Sequence, residues 1–456
     1  MIQTIRNAWA VPELRKKIMF TVFALLIFRL GSAIPVPYID SASLGAHLSN
    51  QSGTILGLLN AMSGSAFSMA TIFALSIQPY INSSIIIQLL TVAIPALERL
   101  AKEGGEEGRK KIASITRYFT VAIALLQGYG YYSLIKSYGL IQGGALSGLW
   151  VGLVIVLSFT AGSAFLMWLG EQITEFGIGN GISIILFAGI ISRFPQMVGD
   201  MISGVSIWSG LQDGSISADS LAAAGLTAEQ VEAQLKLALA PWMIPVIILG
   251  VMALVVLIVY ISNSERRLPV QYAKRVVGRK MYGGQSTHIP MKVNMSGVMP
   301  IIFAQSIASL PATIGAFMGW TEDNSGMMRL FDTSKPFYSI MYFVLIVGFS
   351  YFYATMQFNP IEVANNLKKN GGFIPGFRPG KPTADFITKV LSKITMFGAL
   401  YLSVIAIAPI ITGNIFGYSS LAIGGTSVII VVGVALETTK QMEAQMLMRH
   451  YKGFLE

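Results

Sequence analysis

The chain has 456 residues, 53% hydrophobic and only 12% charged, and its mean hydropathy is +0.63. Ordinary soluble domains carry about 25% charged residues, so a water-facing surface cannot be built here unless lipid covers much of it, and a soluble globular protein is excluded. Cysteine is absent and the three histidines, His47, His288 and His450, lie far apart. Disulfides, thiol nucleophiles, cysteine-ligated zinc and iron–sulfur clusters are therefore excluded, and neither a metal nor a cofactor is expected.

Apolar runs near the roughly 20 residues needed to cross hydrocarbon predict ten spans. In chain order they are Ile18 to Pro35, Ile72 to Ile94, Tyr118 to Leu134, Leu149 to Leu169, Ile182 to Val198, Trp242 to Ile261, Val298 to Trp320, Phe337 to Met356, Ile394 to Ile411 and Leu421 to Leu436. The first follows Arg15, Lys16 and Lys17, as a signal peptide would. No small-residue cleavage site follows it, so it reads as a retained helix.

The net charge of +10 suits nucleic acid, anionic lipid or topology signals, and the placement of the cations decides. Ten spans put both ends of the chain on one side. Of the 32 Lys and Arg, 26 fall on that side, 5 on the other, and Arg29 lies within the first span. The positive-inside rule makes the cation-rich side cytoplasmic.

The longest opposite-side connection, 199–240, divides the chain into an N-terminal half, 1–198, and a C-terminal half, 241–437, followed by a tail, 438–456. Five spans per half is an odd number, so the second half starts from the opposite face and any internal repeat is inverted. Such repeats place their working site at the repeat interface, marked by short or Gly/Pro-interrupted spans at corresponding positions. Spans two and seven carry Pro79, Pro300 and Pro311 with polar Gln78, Asn82, Gln88, Gln305 and Ser306. Spans five and ten have short apolar cores preceded by Gly179 and Gly181 and by Gly424 and Gly425. These four spans are the candidate lining of a pathway; ordinary helix packing is the other reading.

Their central turns hold no ionisable group, which proton or ion coupling usually needs. They offer instead Ile77, Ile81 and Ile85 at i, i+4 spacing, Ile182 and Leu186 likewise, and Ile302 and Ile430. A ring of branched apolar side chains closes to water by dewetting. Before span two, Gly57 to Phe67 (GLLNAMSGSAF) is apolar but too short to cross; it fits an interfacial helix or a re-entrant segment.

The basic loops exceed what topology requires. In loop 262–297, β-branched and aromatic runs flank a basic, Gly-containing turn around Gly278 to Gly284, which predicts a hairpin. Loop 357–393 packs Gly, Pro and cations into a rigid connection. Such loops suit docking to an acidic partner or RNA phosphates, or anchoring to lipid. No phosphate-loop or dinucleotide fingerprint accompanies them.

At this point the strings FRLGSAIPVP, SIQPYINSSIIIQLLT, MWLGEQITEFGIGNGISII, YAKRVVGRKMYGGQSTHIPMKVN, NPIEVANNLKKNGGFIPGFRPGKPT and GGTSVIIVV resemble, in order and spacing, the SecY family of bacterial protein-conducting channel subunits. The resemblance implies an all-α membrane fold of ten helices in two inverted five-helix halves, a clamshell around an hourglass pore. It implies a pore ring of Ile77, Ile81, Ile182, Leu186, Ile302 and Ile430, with Leu186 standing where close relatives have isoleucine. It further implies a plug including Gly57, Asn60, Gly64, Ser65 and Phe67. Spans two and seven would form a lateral gate involving Gln88, Gln127, Gln305 and Ser306. Arg266, Arg267, Lys274, Arg275, Arg279, Lys280 and Arg378 would dock a motor or ribosome. The implied partners are the SecE and SecG subunits, the SecA motor, the ribosome, signal sequences and anionic lipids, in the bacterial cytoplasmic membrane with both termini cytoplasmic.

Two further classes stand beside a polypeptide channel. A secondary transporter of a small solute is compatible with inverted halves and interrupted spans. An intramembrane enzyme would need a nucleophile–base pair or metal cluster that the spans do not offer.

Overall fold

The computed structural model describes residues 2–49, 55–102, 104–142, 148–213, 240–272, 275–277, 280–282, 286–295, 297–318, 320, 326–331, 335–416 and 419–452. They are mainly helical. In span order the helices are Pro12–Gly31, Gln78–Ala93, Gly105–Ser137, Gly148–Phe176, Gly181–Ser192, Met243–Asn263, Met299–Phe317, Pro336–Gln357, Lys381–Phe416 and Ser419–Lys452. After a break at Arg193 the fifth continues as Phe194–Gln212. Among the described residues five helices are long and apolar enough to cross a membrane: Gly148–Phe176, Gly181–Gln212, Met243–Asn263, Pro336–Lys369 and Lys381–Gly413. A bent pair, Gln78–Ala93 with Pro95–Ala101 at 105°, makes a sixth. The helix of span seven is apolar over a shorter stretch, Met299–Gly315.

Buried hydroxyls are kept out of the apolar environment by bonding back to their own helix. Ser83 donates to the carbonyl of Pro79 (2.7 Å), Thr120 to Thr116 (2.7 Å) and Ser403 to Ala399 (2.7 Å), which satisfies polar atoms where no water is available. Glycines set how closely neighbours approach. A Cβ on Gly162 would lie 2.0 Å from the Ile72 carbonyl oxygen, and one on Gly181 would lie 1.9 Å from that of Gly170; small residues let backbones meet in this way.

Helices one to five pack among themselves, as do six to ten, and the two groups meet where span seven touches spans two and three and where span five touches span ten. The polar run Asp213 to Lys236 between the groups lies outside the described residues beyond Asp213, which ends the fifth-span helix.

Several boundaries differ from the sequence expectation. Ile72 to Ile77 form tight turns rather than the start of span two: Ala74 N donates to Thr71 O (2.9 Å), Ser76 N donates to Phe73 O (2.8 Å), and Ser76 takes a positive φ of 52°. Pro79 and Pro300 sit in first helical turns, where a missing N–H costs nothing, and only Pro311 lies inside its helix. Gly424 and Gly425 fall within the continuous helix Ser419–Lys452, so span ten is not interrupted there; glycine costs only about 1 kcal/mol in a helix interior. Span nine begins at Lys381, well before Ile394, after Gly380 turns the chain at φ 107°.

The loop hairpin forms as predicted. Strand β1 (Glu265–Tyr272) pairs antiparallel with β4 (Ser286–Lys292), from Glu265 opposite Lys292 to Gln271 opposite Ser286, and β2 (Arg275–Val277) pairs with β3 (Lys280–Tyr282). The other basic loop is more ordered than the sequence suggests: helix Pro360–Lys369, capped by the Asn359 side chain, leads into β5 (Gly372–Phe373), which adds to the free edge of β1. Leu268, Val270, Met291, Leu367, Ile374, Ile387 and Leu391 bury a small core beneath this three-stranded sheet.

The Gly181–Gly170 contact generates a test. Gly181→Ala must push spans four and five apart, an overpacking cost of about 1–3 kcal/mol, and should lower the thermal midpoint of the detergent-purified protein. Gly199→Ala, with nothing within 4 Å of the added carbon, should melt no lower than the parent, since alanine suits a helix interior better than glycine. Equal midpoints for both variants would show that the approach at Gly181 is not constraining.

Candidate functional site

The four spans singled out for their prolines and glycines converge on one apolar cluster. Ile77, Ile81, Leu186, Ile302 and Ile430 are each no more than 2% exposed and belong to the same buried group, with half-buried Ile182 packed against it. Ile77 precedes the first turn of its helix rather than riding within it (φ −92°, ψ 5°). Span five is aimed by its cap: the Asn180 side-chain oxygen accepts from Ile182 N (3.1 Å) and Ser183 N (3.4 Å), directly after Gly179 at φ 84°. No Asp, Glu, Lys, Arg or His falls among the described residues 77–93, 181–192, 299–315 and 427–436 of these spans. Branched aliphatic groups packed this way exclude water without any directional bond that would have to be broken on opening.

On one side of the cluster sits the short segment before span two. Helix Ile55–Met62 touches the helices of spans five, seven and ten, and Met62 joins the same apolar cluster. Gly57 and Gly64 are buried, Asn60 and Ser65 partly so. At Gly64 the segment presses against span five: a Cβ there would meet the Gly189 carbonyl oxygen at 2.8 Å, and one on Gly189 would meet that of Met62 at 2.7 Å. Gly64 and Ser65 both have positive φ, 67° and 72°. The Ser65 hydroxyl donates to Gln196 Oε1 (3.2 Å), and Arg29 Nη1 donates to the Gly64 carbonyl (3.4 Å). Arg29 was legible only as a cation misplaced in the first span, and such residues usually mark function; the sequence reading assigned it none.

Phe67 turns away from the cluster into a second core with Val36, Leu44, Leu48, Tyr131 and Phe159. That core is closed by helix Ser41–Ser49, whose start Asp40 caps by accepting from the Ser43 hydroxyl (2.8 Å) and amide (3.2 Å). The same two bonds hold the Asp40 carboxylate below its ordinary range.

Where spans two and seven meet, the contact is polar. The Ser306 hydroxyl donates to Gln78 Oε1 (3.3 Å), and Gln78 Nε2 reaches Met62 Sδ (3.2 Å), so one side chain links span two, span seven and the short segment. A crevice beside it is lined by Gln78, Asn82, Gln127, Ser309 and Thr313. Ser306 is buried at this seam, and Gln305, its neighbour on the same helix, is buried as well. The Gln88 amide donates to Ser84 on its own helix (3.3 Å). Gln78 and Asn82 had been noted only as polar residues in an apolar span, and their helical spacing does not reveal that they face span seven.

Of the basic residues, Arg266, Arg267 and Arg378 are exposed. Arg267 Nε pairs with Glu265 Oε1 on its own strand (2.7 Å). The Arg378 carbonyl accepts from Thr383 Oγ1 (2.8 Å), which fixes the turn that presents its side chain. Arg275 and Lys280 lie on β2 and β3; Lys274 and Arg279 are outside the described residues.

The family model described as SecY matches residues 71–439. Full-length relatives include protein translocase subunit SecY of Streptomyces coelicolor, 42% identical over 467 positions covering 100% of both chains. The subunit of the same name from Bacillus subtilis is 42% identical over 463 positions, again covering both chains completely. Among solved structures, a SecY protein described by its plug domain, which stabilises the closed channel and maintains a membrane seal, superposes with a TM-score of 0.61 at 16% identity, covering 95% of this chain and 92% of that one. Sec61 in a canine ribosome–channel complex gives a TM-score of 0.58 at 15% identity, with 95% and 92% coverage. At these identities the structures establish the fold.

The dry cluster makes a measurable claim. A buried amide without a partner costs about 1–3 kcal/mol, so Ile81→Asn or Ile302→Asn should each shift the closed arrangement toward a hydrated one by about fivefold to a hundredfold. Conductance of the reconstituted protein in a planar bilayer should rise accordingly, and more for the double variant. Parental conductance in the double variant would remove these residues from the closure.

Proposed function

The chain belongs to the SecY family, and from that premise we propose that it is the channel subunit through which unfolded preproteins cross the bacterial cytoplasmic membrane and from which apolar segments pass sideways into lipid. The observation that carries this reading is the charge-free aliphatic closure backed by a separate short helix. A ring without fixed charge or directional bonds can deform around an arbitrary polypeptide, and a movable stopper restores the seal that such a ring alone makes poorly. The full-length relatives are protein translocase subunits, which supports the channel; a small-solute transporter gains no support from them.

In this reading the two helix groups, 1–198 and 241–437, are inverted halves of a ten-helix clamshell around an hourglass pore. Ile77, Ile81, Ile182, Leu186, Ile302 and Ile430 form its ring. The segment Gly57 to Phe67, with Asn60, Gly64 and Ser65, is the plug. Gln88, Gln127, Gln305 and Ser306, to which Gln78 adds, belong to the lateral gate that signal sequences part. Both termini and the basic loops face the cytoplasm. There Arg266, Arg267, Lys274, Arg275, Arg279, Lys280 and Arg378 meet the motor SecA or the ribosome, while SecE and SecG complete the complex and anionic lipids hold the basic rim. The canine Sec61 relative in fold is bound to a ribosome, which supports that partner. The channel does no chemistry of its own; its partners supply the driving force.

Two outcomes test this. Deleting Asn60 to Ala66 should open the resting pore to small solutes without abolishing membrane insertion; unaltered conductance in a correctly folded deletion would make the segment an interfacial helix instead. At the docking face, Arg378→Lys keeps the charge but loses the planar guanidinium fork that binds carboxylate or phosphate bidentately. In vesicles with purified motor and preprotein, protease-protected product should fall substantially for Arg378→Lys and further for Arg378→Glu at matched channel levels. Full activity of Arg378→Lys would leave only a charge-based, lipid-anchoring role.

A further inference from the structure

The segment that carries Phe67 is held by more than the apolar cluster below it. Phe67 ends the run that follows helix Ile55–Met62, and its ring lies flat on that of Tyr131 in span three, with centroids 4.3 Å apart and planes at 21°. The Tyr131 hydroxyl donates to the Phe67 carbonyl, which also accepts from Ala70 N (3.1 Å), while the Ser63 hydroxyl accepts from Phe67 N (3.0 Å). Tyr131 is fully buried, and Phe159 of span four walls one side of it at 5.0 Å. Its other wall comes from the opposite helix group: Phe317, the last residue of the span-seven helix, lies 6.5 Å from the Tyr131 centroid. Phe317 has room because residue 130 is glycine; a Cβ there would fall 2.3 Å from the Phe317 ring.

We propose that Phe67, Tyr131 and Phe317 form an aromatic latch that makes the resting position of the plug depend on closure of the lateral gate. The inference rests on the plug and gate reading above and adds the part that couples them. Tyr131 and Phe159 belong to the N-terminal group and Phe317 to the C-terminal group. A segment wedged between spans two and seven draws span seven away and takes Phe317 with it. The Tyr131–Phe67 stack then loses one wall of its pocket, and an aromatic contact depends on such packing beyond the area it buries. Gly64 and Ser65, with their left-handed backbone, lie between the latch and the plug helix and provide the pivot. Phe317 is thus a positioning residue that reports the state of the gate to the plug.

The chain has no cysteine, so a Ser65→Cys, Gln196→Cys pair, at positions joined by a native side-chain hydrogen bond, reports the resting plug by its yield of crosslinking with a short bifunctional maleimide in the reconstituted full-length channel. In this background the yield should be high at rest and fall when a synthetic signal peptide is added. Phe317→Ala should lower the resting ratio of crosslinkable to displaced plug about fivefold, equivalent to about 1 kcal/mol at 1.4 kcal/mol per decade, and should largely abolish the further response to peptide. Gly130→Ala, which displaces the ring, should act in the same direction. Phe317→Tyr, which keeps the ring, should behave as the parent.

A parental yield and peptide response in Phe317→Ala, in protein of normal abundance, would overturn the latch. Should Phe317→Ala fold poorly, Phe317→Leu carries the same expectation and the same overturning result. The plug reading fails separately: if it is wrong, deleting Asn60 to Ala66 raises no leak, whereas if only the latch is wrong, the deletion leaks and Phe317→Ala does not.

Discussion

In the proposed channel a wide path through a membrane is shut without charge and without bonds that hold it shut, and the buried aliphatic convergence of Ile77, Ile81, Leu186, Ile302 and Ile430 suits that constraint. Hydrophobic closure is strong because it excludes water and adaptable because it has no preferred direction. Its weakness is geometric, since branched side chains drawn from four spans leave gaps whenever one helix shifts. The rest of the molecule answers that weakness. Asn180 fixes where span five starts, glycine contacts such as Gly181 on Gly170 hold neighbours at backbone distance, and the short helix ending at Met62 backs the ring from one side.

A few residues away the chemistry reverses. The seam between spans two and seven is made of amides and hydroxyls, Gln78 to Ser306 above all. Inside an apolar slab such bonds are directional and exchangeable, worth about 1–2 kcal/mol each or less. They favour the closed seam, yet an entering apolar segment can replace the helix packing around them. Gln78 also touches Met62, and Phe317 from span seven stands over Gly130 and Tyr131. The seam and the short segment are therefore built from contiguous side chains, which is the basis of the proposed coupling between them.

On the basic face the two long loops are one structure. Strand β5 completes the edge of β1, and the core of Leu268, Val270, Met291, Ile374 and Leu391 locks the hairpin to the base of span nine. Cations presented from such a platform hold their positions, which a lipid-anchoring tail would not need. The hairpin continues directly from the helix of span six and packs through this core on span nine.

The sequence by itself determined that the chain lives in a membrane, where most spans lie, which face is basic, that loop 262–297 is a hairpin, and which four spans would meet. These follow from composition, apolar run length and cation placement, all local or additive quantities. The aliphatic residues that the resemblance names also gather in one buried cluster, with Ile182 packed against it. The remaining features depend on the folded chain, most of them on contacts between its distant parts. Ile72 to Ile77 turn rather than extend span two because local hydrogen bonds and Pro79 outcompete an apolar run that hydropathy cannot distinguish from helix. Gly424 and Gly425 stay helical because their cost is small beside the packing of span ten. Gln78 bonds to span seven because helix rotation is set by neighbours, and a helix carrying polar residues on several faces does not announce which one is turned inward. The roles of Arg29 and Tyr131 depend on residues far away in the chain, Gly64 and Phe67, and such pairings exist only once the chain has folded.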